Sequence, residues 1–330
     1  MKHNLKITII LLVMFLLTQF LGLLVINSYT PTTKQVLNET GQLQNVTIEK
    51  LPEGFQPPEG IKPMEFLPSI IISFIFAIGL MFLFMKFGLN RILRTWFFLV
   101  VIIALGLSLN ALLSKFPALT SYLVQGAITY AFFFSLLIAV PLAIYKVFKR
   151  NLLVHNITEL LIYPGIAAVL VPLFNTLGLI IILILISLYD MWAVWRSKIM
   201  IKMAKFQMNE LKLFAGFYVP YLGKKERQDL DMIKQKYKTQ QLQEKALKKK
   251  KIKVNLAILG GGDVVFPMIA AGVLLRAFGI WPAVLVIFGA LAGLLFLFSI
   301  SEKKKFYPAM PFITGGIFLA MLISWLIGII

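Results

Sequence analysis

Long apolar runs separated by short clusters of charge dominate the chain. Runs long enough to cross the hydrocarbon core of a bilayer occur at about 5–26, 67–85, 95–113, 121–145, 153–173, 176–195, 254–275, 280–300 and 306–328. This pattern predicts an all-α polytopic membrane protein with about nine transmembrane helices. Only Phe174 and Asn175 separate the fifth run from the sixth, and Pro164 and Pro172 interrupt the fifth. A tight hairpin or a re-entrant segment is therefore compatible with that stretch.

The runs fall into three parts. Residues 1–195 form an N-terminal six-helix part with an external loop at 27–66, residues 196–253 a basic cytoplasmic loop, and residues 254–330 a C-terminal three-helix part. The loop at 27–66 contains Pro31, Pro52, Pro57, Pro58 and Pro63 with five glutamates, so an irregular conformation is expected there.

Composition narrows the chemistry. With 59% hydrophobic and 14% charged residues among 330, the chain has more apolar surface than a soluble domain of this size buries, and lipid must cover the rest. Cysteine is absent and the histidines are only His3 and His155, which excludes disulfides, zinc-thiolate sites and thiol nucleophiles. No metal and no cofactor are expected.

The net charge of +19 would suggest nucleic acid in a soluble protein, but here the basic residues flank apolar spans and set topology. Of 33 basic residues, 28 lie in alternate loops on one side, 17 of them between Arg196 and Lys253, while Lys34, Lys50, Lys62, Lys115 and Arg276 lie on the other. The N-terminus is expected to be cytoplasmic and the C-terminus external, in a multi-pass protein of the cell membrane with no nucleic-acid partner. Lys2 and Lys6 precede an apolar run to Ile26 with no small-residue cleavage site after it, as in an uncleaved first span.

Eleven of the fourteen acidic residues lie in loops, leaving Glu159, Asp190 and Asp263 within spans. Glu159 sits near the start of the fifth span, where a structural role suffices. Asp190 comes six residues before Arg196, and Asp263 ten residues after Lys253, or about 9 Å and about 15 Å of helix from the same membrane face. Inserting two carboxyls at overlapping depth is costly unless they pair or perform chemistry.

The surroundings of each acid add detail. Gly260-Gly261-Gly262 removes side chains just before Asp263 and permits close helix approach, while Pro267 lacks the N–H that would bond the Asp263 carbonyl. Pro308-Ala309-Met310-Pro311 opens the last span with a backbone that cannot begin as regular helix and should line protein or water.

Tyr189-Asp190, Gly260-x-Gly262-Asp263 and Pro308-Ala309-Met310 together resemble the presenilin and signal peptide peptidase family of intramembrane aspartyl proteases of the GxGD type. The likeness covers roughly 190 to 311 by motif and all nine spans by architecture. It implies Asp190 and Asp263 as the catalytic pair, Tyr189, Gly260 and Gly262 as their support, and Pro308, Ala309 and Met310 as the border of the substrate site. Met310 stands where the family usually has leucine, a residue of similar volume. A cytoplasmic N-terminus matches presenilin and its microbial homologues, whereas signal peptide peptidases are oriented oppositely.

The expected activity is hydrolysis of peptide bonds within transmembrane segments by an aspartate pair and water, with transmembrane proteins or peptides as substrates and the bilayer as surroundings. Intramembrane acids beside broken helices also mark ion pathways, so the alternative is a proton- or cation-coupled transporter or channel. No inverted repeat supports it.

Overall fold

The computed structural model of the chain describes residues 5–37, 43–48, 63–124, 128–149, 151–197, 206, 215–221, 255–302 and 307–330. Most of the basic segment 196–253, and Pro52, Pro57 and Pro58 of the segment 27–66, lie outside the described residues.

Among those residues are nine α-helices: α1 (Leu5–Ser28), α2 (Pro63–Lys86), α3 (Asn90–Leu113), α4 (Tyr130–Ile144), α5 (Leu152–Leu170), α6 (Thr176–Met191), α7 (Gly261–Phe278), α8 (Ile280–Ile300) and α9 (Met310–Leu326). Seven are long and apolar enough to cross a membrane, counting the short turns that extend α4, α5 and α6; α9 and the apolar stretch Pro68–Phe84 of α2 are shorter. Nine crossings are consistent with this arrangement.

Side-chain caps set several helix starts. The Thr129 hydroxyl accepts the Phe132 N–H at 3.2 Å, so α4 starts well after the apolar run does. Residues before it pair as a short hairpin, β3 (Tyr122–Val124) with β4 (Ile128–Thr129). Asn175 accepts the Gly178 N–H at 2.7 Å, satisfying one of the free amides at the start of α6. Helix α5 passes through Pro164 and ends in a 3₁₀ turn, Val171–Leu173, that contains Pro172. The fifth and sixth runs are therefore separate helices joined by a tight turn.

Part of the segment 27–66 is paired. Strands β1 (Thr32–Leu37) and β2 (Leu43–Ile48) pair antiparallel from Thr32↔Ile48 to Leu37↔Leu43. Six of their residues, Thr32, Thr33, Val36, Val46, Thr47 and Ile48, are of the β-branched type that favours strands.

Helix α7 is the centre of the molecule. It packs against α1, α5, α6, α8 and α9 and is more enclosed than any other long span. The small run Ala270-Ala271-Gly272 lies buried along it, which lets neighbouring backbones come close. Helices α8 and α9 approach closest where Gly289 and Gly293 meet Gly316 and Phe312, since a Cβ on Gly289, Gly293 or Gly316 would collide with backbone of the opposite helix. Exposed Ile72, Ile75 and Phe76 on α2 and Leu319 and Leu322 on α9 are the kind of surface that lipid covers.

The seventh apolar run does not form one helix. Asn255–Gly260 is a strand, β6, paired antiparallel with β5 (Gly216–Tyr221) from Gly216↔Gly260 to Tyr221↔Asn255. Two findings correct the sequence reading. Asp263 lies in the first turn of α7 and not about 15 Å into a helix, because the triple glycine ends the strand and makes a late helix start inexpensive. Within the segment 196–253, read as a loop, β5 is a strand whose Phe217 is fully buried.

Candidate active site

Three chain segments converge on the carboxyls. Asp190 is buried, at 7% exposure, in the last turn of α6. Its Oδ2 accepts the Met310 N–H at 3.0 Å, and the Ala309 amide also faces it. These amides belong to the start of α9, whose first N–H groups have no partner within the helix and form a favourable site for a carboxylate. One turn away, Ser187 Oγ donates to Thr314 Oγ1 at 2.8 Å, so α6 and α9 are fastened at two levels.

Asp263 approaches from α7. Its carboxylate lies against the Gly260 backbone amide, and a Cβ on Gly260 would sit 3.1 Å from Asp263 Oδ2. Glycine at 260 therefore leaves room for the acid to fold back on its own turn. A Cβ on Gly261 would be 3.0 Å from the Tyr163 ring and hydroxyl. By contrast, Gly262 is exposed, and a Cβ there would meet only Phe266, at 3.8 Å. Close approach, expected from the glycines collectively, thus belongs to Gly260 and Gly261 and not to Gly262.

Opposed elements hold this turn. From α1, Gln19 is fully buried, and its Nε2 donates to the Val264 carbonyl at 2.8 Å. On the other side, the Ala215 carbonyl accepts the Gly261 N–H at 3.1 Å. Gln19 and β5 were not visible as site elements in the sequence. A lone amide among apolar residues of the first span was the available signal for Gln19.

The two acids are carried by neighbouring helices, since α6 contacts α7. Asp263 opens to a cavity of about 120 Å³ whose walls include Ile258 of β6, Leu294 and Leu297 of α8, Tyr307 and Ala309. The Pro308-Ala309-Met310 segment therefore touches Asp190 through Met310 and borders the Asp263 cavity through Ala309, while Pro308 is buried behind them. Tyr189 is half-buried with its ring 6.3 Å from that of Trp192. In the described residues no cluster of three or more His, Asp or Glu side chains suits a metal.

A multi-pass helical protein with an aspartate on each of two neighbouring helices, one at a cavity and the other held by the segment that borders it, has the layout of an intramembrane aspartyl protease. The family model described as signal-peptide peptidase, presenilin aspartyl protease matches residues 54–330, and the chain belongs to that family. Its fold is similar to a solved structure of a presenilin family intramembrane aspartate protease in the C222 space group, with a TM-score of 0.57 and 17% identity over 97% of this chain and 99% of that one. A structure of a presenilin family intramembrane aspartate protease in the P2 space group gives a TM-score of 0.55 and 17% identity over 96% and 97%. A search of curated proteins finds no match. The protein is an aspartic endopeptidase that cleaves within membranes, and nothing favours the transporter reading.

Proposed function

We propose that Asp190 and Asp263 are the catalytic pair, with Tyr189, Gly260 and Gly262 supporting them and Pro308, Ala309 and Met310 bordering the substrate. The observation that carries this reading is the shared segment: Met310 caps Asp190, and its neighbour Ala309 borders the cavity to which Asp263 opens.

Two close carboxyls away from bulk water do not both ionise readily, so the pair holds one proton. The ionised member takes a proton from water as the water oxygen attacks the peptide carbonyl carbon. The protonated member gives its proton to the carbonyl oxygen, forming a neutral gem-diol. Collapse breaks the C–N bond, with one proton delivered to the leaving nitrogen and the pair returned to its starting state. No covalent enzyme intermediate is involved.

A transmembrane substrate must unwind before attack, because its helical backbone bonds are already made. The edge that receives the unwound segment is β6. In the antiparallel register, Tyr218 faces away from β6, so its partner Ile258 turns its backbone groups to the opposite edge, next to the Asp263 cavity. The Leu294 and Leu297 walls of that cavity suit an apolar substrate side chain.

Orientation is part of the same reading. The N-terminus and segment 196–253 face the cytoplasm and the C-terminus the outside of the cell membrane, on the strength of the basic asymmetry. The three-part division at 195 and 254 is retained, with β5 linking the second part to the third. Single cysteines introduced into this cysteine-free chain report sidedness, and labelling of segment 222–253 from outside alone would reverse the assignment.

The deciding experiment incubates purified protein with a model transmembrane peptide and maps products by mass spectrometry. Cleavage within the apolar stretch, lost in Asp190→Asn and in Asp263→Asn, is expected. Full cleavage by either variant removes that residue from catalysis.

A further inference from the structure

The carboxyl pair does not account for all the buried charge. Lys146, in the π-helical turn that ends α4, and His155 and Glu159, one turn apart on α5, are 5%, 9% and 1% exposed. Lys146 Nζ donates to Glu159 Oε1 and lies 3.4 Å from His155 Nδ1. An ammonium has no lone pair, so Nδ1 must accept and the imidazole proton resides on Nε2. Nε2 in turn donates to the Gly216 carbonyl at 2.7 Å. The charged pair thus fixes the tautomer and direction of a histidine aimed at the first residue of β5.

The next residue continues the grip. Asn156 Nδ2 donates to the Tyr218 carbonyl at 2.8 Å, and its Oδ1 accepts the Tyr218 N–H at 3.0 Å. The Tyr218 ring lies 4.8 Å from the His155 ring. Gly216 and Tyr218 are alternate residues, so these bonds occupy the edge of β5 that faces away from β6. Helix α5 plays the part of a third strand for that edge, at a fixed register.

That register leads to Asp263. Strand β5 fixes β6 through their ladder, the carbonyl of Ala215 just before β5 accepts the Gly261 N–H, and Gly260 lies against the Asp263 carboxylate. We propose that His155 and Asn156 are positioning residues that lock the β5–β6 register, hold the Asp263 turn, and close the outer edge of β5 so that a substrate strand adds to β6 alone. The proposal rests on the assignment of Asp263 to catalysis. Without the lock, β5 slips by two residues, the smallest step that preserves its buried face, and the substrate is presented in more than one register.

The test compares wild type, Asn156→Leu, Asn156→Asp and Asp263→Asn on one transmembrane peptide, reading kcat, KM and the ratio of cleavage sites by mass spectrometry. Leucine keeps the size of asparagine and removes both bonds; aspartate keeps the acceptor for the Tyr218 N–H. Asn156→Leu is expected to lower kcat about tenfold to a hundredfold, as misplacement of a reacting group does, and to spread cleavage to bonds two residues from the main one. Asn156→Asp is expected to fall between wild type and Asn156→Leu, and it alone decides the matter if the leucine variant does not fold. A loss of folded enzyme lowers activity but does not change the site ratio. An unchanged ratio in the variants, with Asp263→Asn inactive, overturns the positioning role alone. Activity in Asp263→Asn overturns the catalytic assignment beneath it.

Discussion

The Met310 backbone N–H meets the Asp190 carboxylate at 3.0 Å although 120 residues separate them in the chain. The donor is main chain, so side-chain changes at 310 should matter only through volume and backbone. Met310→Leu is expected to retain activity, because the two side chains have similar volume. Met310→Pro removes the amide hydrogen and is expected to lower kcat by roughly a hundredfold, in the range seen when a preorganised donor is lost. Equal kcat for both variants in a peptide-cleavage assay would show that the hydrogen bond does not serve catalysis.

Ala309 borders the Asp263 cavity of about 120 Å³. Ala309→Trp fills that space and should abolish cleavage while the protein stays folded, whereas Ala309→Ser should be tolerated. Pro308→Leu should also reduce activity strongly, since it frees a backbone that proline restrains just ahead of α9. Cleavage assays on detergent-purified variants, with circular dichroism as the folding check, distinguish these outcomes.

A pair sharing one proton predicts a bell-shaped pH profile. Acid neutralises the carboxylate that activates water, and base removes the proton that the partner must donate, so activity falls on both sides. Both limbs belong to the pair. A kcat/KM profile that is flat across the acid range would contradict a shared proton.

Breaking the Lys146–Glu159 pair should be costly. Glu159→Gln leaves the buried Lys146 ammonium without its counter-charge and is expected to destabilise the protein by about 3–5 kcal/mol. The double variant Lys146→Met with Glu159→Gln should recover much of that loss, because no unpaired charge remains. Thermal unfolding in detergent reads both, and equal destabilisation in the single and double variants would mean that packing, not charge, dominates.

The α8–α9 contact offers a steric test. Gly316→Leu puts a side chain against Gly289 backbone and should cost about 1–3 kcal/mol through overpacking. It should also lower activity by moving the start of α9 away from Asp190. Gly315→Leu, where a Cβ meets open space, is the matched control and should change neither.

Much of the design was legible in the linear chain because a bilayer makes simple demands. Apolar length sets where a span lies, and the cost of an intramembrane acid singles out Glu159, Asp190 and Asp263 among fourteen acidic residues. The glycines before Asp263 and the prolines around Ala309 announced broken backbone for the same local reason. Pairing across the chain was not legible. Asn255–Gly260 is apolar enough to pass for the start of a span, and only its partner Gly216–Tyr221, drawn from a basic segment, makes it a strand. A position near the start of its span gives Glu159 a structural role but no partner, and the partner is Lys146, one of the basic residues that set topology. Gln19 gave no periodic signal at all, since a single side-chain bond to the Val264 carbonyl depends only on which helix faces which. Hydropathy is a property of each residue and its neighbours in sequence; a hydrogen bond or ladder requires two partners, and the tertiary structure alone brings the second one into reach.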